Sequence, residues 1–359
     1  MHPFGTRYVL NSHAAFLKIS CIRIRGQAMS KIKFGVEIPT FAGGGGAHRD
    51  VPLYERIDYK TAKETALLAE RTGYDSIWMA DHFVLGRYGE MFEIWTLMSA
   101  FAALTERVEL GTLVMCTLHR YPSVLAKMAA TLDLASNGRL ILGVGAGWNE
   151  SELKSYGIPF PPPGERVARM KEGIKILKAM WRDDKPSYKG KYYHIDNATC
   201  LPRPVQPAGP PIIVGAVGPR MLRAVAEVGD GWNLGDDPTV DVYKEKLAII
   251  NQSCKELGRD PNSVVKTWDG HVIIGKNQRE FEELADSLKK HKATDKVGTT
   301  QLIPSNIFED CIAGTPDACI EKIKKFAAIG VSHFSLWFLD YPHFEGIKLF
   351  AERVIPEFR

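Results

Sequence analysis

The segment GRLILGVGAGWNESE, residues 138–152, decides the fold of this chain. An apolar strand pattern over 140–144 runs directly into a patch of glycines at every second position, Gly143, Gly145 and Gly147. Glycines at the end of a strand omit the side chains that would fill the space beyond it, so backbone groups can approach a ligand closely. The segment therefore predicts a buried strand whose end faces a flat ring.

A dinucleotide-binding turn is the main alternative for this glycine patch. That motif needs G-x-G-x-x-G at the opening of a helix and an acidic residue about 20 positions later, whereas the spacing here is G-x-G-x-G. Pro159 and the prolines at 161–163 also stop any long helix after the strand. Close packing of small residues at a strand end is a second alternative, and the segment alone leaves it open.

Composition favours a globular enzyme and argues against several partners. The 359 residues suit one α/β barrel as well as two average domains, and 45% hydrophobic with 25% charged residues is ordinary for a globular protein. The net charge of +4 is spread along the chain without the basic block typical of nucleic-acid or membrane-surface binding, so we expect neither partner. No run approaches the roughly 18 apolar residues of a membrane span.

The cysteines and the first residues bear on location. Six cysteines lie far apart and form no C-x-x-C pair, which favours reduced thiols and a cytoplasmic protein. Residues 1–28 lack the apolar stretch of a secretory signal. We predict a disordered leader or an upstream start before Met29, with an organellar transit peptide as an alternative because the segment is basic and lacks acids. Residues 29–359 are predicted to form a single domain.

From position 31 onward, short β-rich runs alternate with helical periodicity about eight times, which is typical of βα units on a parallel sheet. Eight such units predict a (β/α)8 TIM barrel with insertions. Among the helices, an apolar stripe at three- and four-residue steps predicts one over 166–181. A hairpin is predicted over 187–195, and 289–304 has no clear period and is predicted to be an insertion or lid. The other predicted helices cover 59–72, 92–105 and 122–135, and the predicted strands cover 32–38, 76–80, 108–115, 140–144, 211–215, 230–234, 264–274 and 333–338.

Active sites of such barrels lie at the carboxyl ends of the strands, so the residues that follow each strand are candidates. The second strand ends in Asp81-His82. A histidine there can exchange a proton near neutral pH, and a neighbouring carboxylate can fix its orientation. The structural alternative is that Asp81 caps the loop while His82 packs. Cys116, after the third strand, has no base that the sequence pairs with it, and we interpret it as a packing residue.

The fifth predicted strand ends in a second glycine turn. Gly215 and Gly218 are followed by Pro219 and an amphipathic helix, so free backbone N–H groups at the helix start would bind a phosphate. With the ring site of the fourth strand, this turn predicts a phosphorylated ring cofactor; a plain Gly-Pro helix start is the alternative. The ten histidines form no H-x-H or H-E-x-x-H pair and there is no G-x-S-x-G, so we predict neither a metal site nor a hydrolase.

A resemblance to a known family sharpens these expectations. The segments GYDSIWMADHF, VELGTLV, TLDLASNGRLILGVGAGWNESEL, YGIPFPPPGERVARMKEGIKILKAMW, YKGKYYHI, LPRPVQPAGPPIIVGAVGP and VGDGWN, in this order, closely resemble the bacterial luciferase-like superfamily over nearly all of 32–358. Members are TIM barrels that bind either FMN or the deazaflavin coenzyme F-420. The Asp-His pair after strand two and the IPFPPPGER segment resemble the members that use coenzyme F-420, whereas many FMN-dependent monooxygenases have Glu-His-His there.

The resemblance implies roles for particular residues. Asp81 and His82 would lie beside the deazaflavin ring, and His82 would stabilise charge or move a proton during hydride transfer to or from an organic substrate. Leu113-Val114 matches the position of a non-prolyl cis peptide behind the ring. The remaining cofactor contacts would be to the ring from Ala146, Gly147 and Trp148, and to the phosphate from Gly215, Ala216, Val217 and Gly218.

One departure and two alternatives complete the expectations. Sugar-phosphate dehydrogenases of the family have a catalytic glutamate where this chain has Trp148, which puts a glucose-6-phosphate activity in doubt and suggests a more apolar substrate face. The first alternative is an FMN-dependent monooxygenase that uses oxygen and is supplied with reduced FMN by a partner reductase. The second is a barrel that binds cofactor without catalysis. Family relatives often form homodimers through helices beside strands two and three.

Overall fold

Eight parallel strands close into a barrel in the computed structural model, which describes residues 22–24, 27–29, 31–44, 50–51, 53–86, 88–290 and 310–359. Each strand pairs in parallel with the next one along the chain, and the last pairs with the first. The predicted (β/α)8 barrel is confirmed. The strands are β1 (Lys33–Glu37), β2 (Ser76–Met79), β3 (Glu109–Thr112), β4 (Leu140–Gly145), β5 (Ile212–Gly215), β6 (Gly231–Leu234), β7 (Val265–Ile274) and β8 (His333–Phe338).

The third strand is shorter than its apolar pattern predicts. The prediction over 108–115 is wrong at its end, because β3 stops at Thr112 and the peptide bond between Leu113 and Val114 is cis. The chain then resumes as a two-residue strand, Met115–Cys116, which pairs with β4. The cis bond lies at the position that the resemblance implies. Periodicity cannot reveal such a break, since the side chains remain apolar on both sides of it.

Helices surround the barrel, and local sequence signals set their ends. α1 begins where Asp58 accepts a hydrogen bond from the backbone N–H of Thr61, and it ends at Gly73, whose φ of 93° suits glycine. α5 begins at Pro163, earlier than the predicted 166, because proline is favoured in a first helical turn. The helices are α1 (Tyr59–Thr72), α2 (Ile94–Leu104), α3 (Pro122–Ala135), α4 (Glu150–Ser155), α5 (Pro163–Arg182), α6 (Pro219–Val228), α7 (Val240–Glu256), α8 (Gln278–Lys290), α9 (Pro316–Ala327) and α10 (Glu345–Arg353).

The inside of the barrel is packed with side chains, as in other barrels of this size. Trp78 on β2 lies beside β1 and β3, and each of these strands carries a glycine next to the indole. A Cβ atom at Gly111 would lie 2.1 Å from the Trp78 ring, and one at Gly35 would lie 2.4 Å from its Nε1 atom. These two glycines therefore make room for one large indole.

Smaller elements decorate the barrel. The predicted hairpin after α5 is confirmed, with Tyr188–Lys189 paired to His194–Ile195. A short strand, Ile312–Gly314, pairs with β7 outside the barrel ring. The predicted lid over 289–304 lies almost wholly outside the described residues. Within the described part of the chain, no helix is long and apolar enough to cross a membrane.

Candidate active site

A cavity of about 560 Å³ opens at the carboxyl ends of the barrel strands, where the sequence analysis places the site. It is walled by the segments that follow β2, β4, β5 and β6. The structure brings every predicted site residue to this cavity: Asp81, His82, Leu113, Val114, Ala146, Gly147, Trp148, Gly215, Ala216, Val217 and Gly218.

The histidine of the predicted pair is oriented by a carboxylate from another element. Nδ1 of His82 lies 2.8 Å from Oε2 of Glu152 on α4. The other oxygen of Glu152 accepts hydrogen bonds from the backbone N–H groups of Phe83 and Val84, the second at 3.2 Å. Burial would raise the pKa of Glu152, but its hydrogen bond to His82 and these two N–H donors lower it overall. Glu152 is thus held as a carboxylate against the imidazole.

Glu152 is a site residue that the sequence analysis missed. It lies in the third position of α4, where Asn149 caps the helix by accepting a hydrogen bond of 3.2 Å from the Glu152 backbone N–H. Asn followed three residues later by Glu is the sequence pattern of a capping box. That pattern could have located the start of α4, although it predicts a local role for the glutamate rather than a contact with β2.

Asp81 contacts other residues than the sequence analysis predicts. Its carboxylate is buried and accepts hydrogen bonds from Arg120 at 2.8 and 3.2 Å and from the backbone N–H of Cys116 at 3.2 Å. Burial would raise the pKa of Asp81, but its contacts with His119 and Arg120 lower it overall. The expectation that Asp81 fixes the orientation of His82 is wrong, because Glu152 does so while Asp81 is engaged by the loop after β3.

His119 is a second buried histidine on the cavity wall, also missed from the sequence. Its Nδ1 atom lies 3.3 Å from Asp81, and its ring packs on Phe83 at 4.3 Å between centroids. Burial would lower the pKa of His119, but the side chains of Asp81 and Cys116 beside it raise the pKa to about 9. The ring is therefore protonated at neutral pH, and its buried Nε2 atom has no hydrogen-bond partner among the described residues.

The glycine patch of the fourth strand is used differently from the prediction. A Cβ atom at Gly143 would lie 1.9 Å from the carbonyl oxygen of Thr112, and one at Gly145 would lie 2.8 Å from a methyl group of Val114. These two glycines leave room for the neighbouring chain and for the Val114 side chain, rather than directly for a ligand. Gly147 has a φ of 83°, and its Cβ would lie 2.8 Å from the sulfur of Cys116.

The turn after β5 has free space beside its glycine backbone. A Cβ atom at Gly218 would meet no atom within 4 Å, so this position borders free space. Gly218 is the N-cap of α6, and no side chain caps that helix start. The first backbone N–H groups of α6 are therefore available to an anion. Among the described residues, no cluster of histidine, cysteine and carboxylate side chains could hold a metal ion.

The outer rim and the far wall differ in polarity. Trp148 is 61% exposed at the rim and contacts His82 edge to face, with 5.3 Å between ring centroids. On the far wall, Asn233 of β6 donates a hydrogen bond of 3.1 Å to Asp269 of β7, and both line the cavity. Asp236 lines the same wall. The sequence analysis did not select these three polar residues.

Comparisons with known proteins agree with the fold. The sequence profile of the luciferase-like monooxygenase family matches residues 32–333. The chain belongs to this family. Its membership of the luciferase-like family makes the protein an oxidoreductase and confirms the resemblance described above.

Individual relatives span almost the whole barrel. An F-420-dependent glucose-6-phosphate dehydrogenase of Amycolatopsis mediterranei is 29% identical over 322 residues, which cover 85% of this chain and 96% of the relative. Monooxygenase RslO1 from Streptomyces bottropensis superposes with a TM-score of 0.76 at 23% identity, over 91% of this chain and 100% of that one. The F-420-dependent tetrahydromethanopterin reductase from Methanopyrus kandleri gives 0.73 at 22%, over 92% and 100%. The two structural matches share the luciferase-like barrel.

Proposed function

We propose that the protein is a coenzyme F-420-dependent oxidoreductase that transfers a hydride between the deazaflavin and an organic substrate. The observation that carries the proposal is the His82–Glu152 pair on the wall of a cavity that the glycine turn after β5 also lines. The relatives named as F-420-dependent dehydrogenases support the choice of cofactor, because they align over most of the chain. Solved structures of similar fold that contain FMN or a modified FMN support FMN as the alternative.

The residues of the cavity fit a phosphorylated ring. Leu113, Val114 and Ala146 offer an apolar surface, and the space beside Gly218 is open to the first N–H groups of α6. The Nε2–H of protonated His119 is a buried donor that no described residue satisfies, and burying such a donor is unfavourable unless a ligand accepts from it. We assign the ring to the wall between β3 and β4, and the phosphate to Gly215, Ala216, Val217 and Gly218.

When bound, the deazaflavin supplies a carbon that accepts or releases a hydride. The protein's own contribution is to hold and move a proton at His82. Glu152 occupies Nδ1, so Nε2 is the nitrogen left to exchange a proton with the substrate. Because Glu152 is held ionised, it also stabilises the protonated imidazole that forms when His82 acts as a base. Trp148 contacts the His82 ring edge to face at the rim of the cavity.

The substrate is a separate part of the proposal. Trp148, Phe41 and Leu85 give the cavity an apolar surface, and among its lining residues in the described part of the chain there is no lysine or arginine. A sugar-phosphate substrate would bring a phosphate of its own in addition to that of the cofactor. This second phosphate needs cationic side chains or N–H donors to bind it. We therefore infer a substrate without a phosphate, which separates this chain from the glucose-6-phosphate dehydrogenases that it resembles.

Cofactor titration tests the proposal directly. Purified protein is titrated with coenzyme F-420 and, separately, with FMN while the cofactor fluorescence is followed. We expect saturable binding of coenzyme F-420, and we expect Gly218→Leu to weaken it about tenfold or more because the new side chain fills the open space beside the α6 N-terminus. The matched control is Gly164→Leu, at a glycine outside the cavity lining whose φ is not left-handed and whose added Cβ would meet only the end of the Arg220 side chain, at 3.4 Å.

Two results would overturn the assignment. Tight binding of FMN without binding of coenzyme F-420, with oxygen consumption when reduced FMN is supplied, would establish the monooxygenase alternative and its need for a reductase. Binding of either cofactor without turnover of any reduced or oxidised substrate would favour the barrel that has lost catalysis. Equal weakening of cofactor binding by both leucine substitutions would contradict the assignment of the phosphate to the turn after β5.

A further inference from the structure

Trp148 is exposed, unlike the other tryptophans of the chain. The structure describes all seven, and the other six are at most 5% exposed, whereas Trp148 is 61% exposed at the rim of the cavity. Covering an exposed indole with another apolar group is favourable, because the apolar surface of both leaves water. A molecule that enters the cavity is therefore stabilised if it covers this side chain.

The chain on both sides of Trp148 is held in place. Gly147 has a φ of 83°, which glycine adopts readily, and a Cβ atom there would lie 2.8 Å from the sulfur of Cys116. Asn149 caps α4, since its side-chain oxygen accepts a hydrogen bond of 3.2 Å from the backbone N–H of Glu152. The backbone of this loop therefore keeps the indole at the rim.

The indole adjoins the imidazole to which the proposed function gives the proton transfer. The ring centroids of Trp148 and His82 are 5.3 Å apart, and the two planes meet at 66°. An edge-to-face contact covers at most one face of the indole, so the other face is open. Glu152 holds the imidazole through Nδ1 at 2.8 Å. A substrate oxygen that hydrogen-bonds to Nε2 lies about 3 Å from it, so the group attached to that oxygen is the part that reaches the indole.

The rim next to Trp148 is also apolar. Val217, in the turn after β5, is 59% exposed and lines the cavity. β4 and β5 pair in parallel, with Val144 opposite Val214, so the loops that follow them open at the same edge of the cavity. The proposed phosphate contacts of this turn use backbone N–H groups, which leaves the Val217 side chain available to the substrate. The part of a substrate that lies at this edge therefore meets apolar side chains.

We propose that Trp148 determines substrate specificity by packing against a flat apolar group, aromatic or conjugated, that adjoins the reacting hydroxyl or carbonyl carbon of the substrate. In the direction of oxidation, the hydroxyl proton passes to Nε2 of His82, the hydride leaves the carbon for the deazaflavin, and the C=O double bond forms. Reduction of the carbonyl is the reverse. The flat group stays against the indole in both directions, because the reaction changes only the carbon and oxygen beside it.

Iodide quenching locates the bound group without any cofactor. Iodide reaches Trp148 and not the six buried tryptophans, so Trp148→Phe should remove the quenchable part of the fluorescence. The probes are benzyl alcohol and cyclohexylmethanol, which match in carbon and oxygen count and differ in the flatness of the ring. We expect benzyl alcohol to protect Trp148 from iodide, with about fivefold higher affinity than cyclohexylmethanol. Equal affinities, or no protection by either alcohol, would overturn the proposal.

Substitution of the indole separates flatness from apolar character. Trp148→Leu keeps an apolar side chain without a flat face, whereas Trp148→Phe keeps a flat face. Calorimetry should show about fivefold weaker binding of benzyl alcohol to Trp148→Leu and no preference over cyclohexylmethanol, while Trp148→Phe keeps the preference. Tyr59→Leu, at an exposed aromatic residue of α1 outside the cavity lining, is the matched control and should change neither affinity. Wild-type affinity and preference in Trp148→Leu would contradict the assignment.

The inference rests on the proposed function for the role of His82, and cofactor titration distinguishes the two. Trp148→Leu is titrated with coenzyme F-420 and with FMN, and we expect affinities within about twofold of the wild type, because the indole binds substrate. Cofactor affinity about tenfold weaker, with unchanged binding of benzyl alcohol, would make Trp148 a cofactor contact and overturn the inference. If coenzyme F-420 failed to bind the wild type while benzyl alcohol still protected Trp148, only the proposed function would fall.

Discussion

Two buried histidines at opposite ends of the barrel have opposite electrostatic environments. At the mouth, burial would lower the pKa of His119, but Asp81 and Cys116 raise it to about 9. At the base, burial and the charge of Lys33 lower the pKa of His333 to about 3, and a smaller influence of Asp75 does not offset them. Burial is common to both rings. The contact with an ionised carboxylate decides the sign.

The partners of His333 explain why it stays neutral. The Trp78 indole N–H donates to the hydroxyl oxygen of Ser76 at 2.8 Å, and that hydroxyl donates to Nε2 of His333 at 2.8 Å. A chain of neutral donors and acceptors needs an uncharged imidazole at its end. The base of the barrel is therefore organised for packing, whereas the mouth keeps charged groups around a cavity. Mutations at the two ends should act on different properties.

The largest effect is expected at the mouth, in turnover. His82→Ala should lower turnover about 10²-fold or more if the imidazole exchanges a proton, while cofactor binding stays within a few fold. Glu152→Gln should lower turnover in the same direction by less, since it keeps a hydrogen-bonding group at Nδ1 but removes the charge. Steady-state kinetics together with cofactor titration make the measurement. Turnover by His82→Ala at the wild-type rate would mean that His82 has a packing role only.

The next effect is expected at the base, in stability. His333→Leu leaves the buried Ser76 hydroxyl without its acceptor, which should lower the free energy of unfolding by about 1–3 kcal/mol. Cofactor affinity should not change. Chemical denaturation provides the measurement, and His343→Leu, at an exposed histidine, is the matched control with an expected change below about 0.5 kcal/mol. If His333→Leu bound cofactor poorly but kept the wild-type free energy of unfolding, the assignment of packing to the base and of ligand binding to the mouth would be contradicted.

The smallest effect is a difference in the pH dependence of stability. The folded pKa of His119 lies above its unfolded value of 6.5, so its contribution is complete below pH 6.5 and is lost as pH rises to about 9. The folded pKa of His333 lies below 6.5, so its contribution is complete above pH 6.5 and is lost as pH falls towards about 3. Each slope is at most about 1.4 kcal/mol per pH unit.

Denaturation of wild-type protein and of single variants across these two ranges measures the slopes. His119→Phe should flatten the loss of stability on the alkaline side without affecting the acid side, and His333→Leu should do the opposite. Parallel curves for the wild type and His119→Phe above pH 6.5 would mean that the imidazole is not held protonated in the folded protein.

The fold was predictable because barrel strands and helices carry strong periodic patterns. Buried runs such as LILGVG and SIWM read as strands, and the glycine and proline signals located the ends of α1 and α3. The interruption at Leu113-Val114 was not predictable from periodicity, since the apolar pattern is unbroken across it. Only the resemblance to the luciferase-like superfamily marked that position.

The site was predictable where it follows strand ends and was missed where partners come from distant turns. His82 follows β2 directly, whereas Glu152 reaches it from a helix 70 residues later. His119 was missed because it lies in a loop after the strand break.

Val114 gives this wall of the cavity a property that matters for redesign. Cβ atoms built at Gly145 and Gly215 would each lie about 3 Å from its methyl groups, at 2.8 and 3.0 Å, and one at Gly143 would lie at 3.3 Å. The Val114 side chain thus packs against three glycines from two adjacent strands. Trimming it to alanine would deepen the pocket without touching the sheet, while enlarging any of the glycines would push the strands themselves. The depth of the cavity can consequently be changed by substituting Val114 alone.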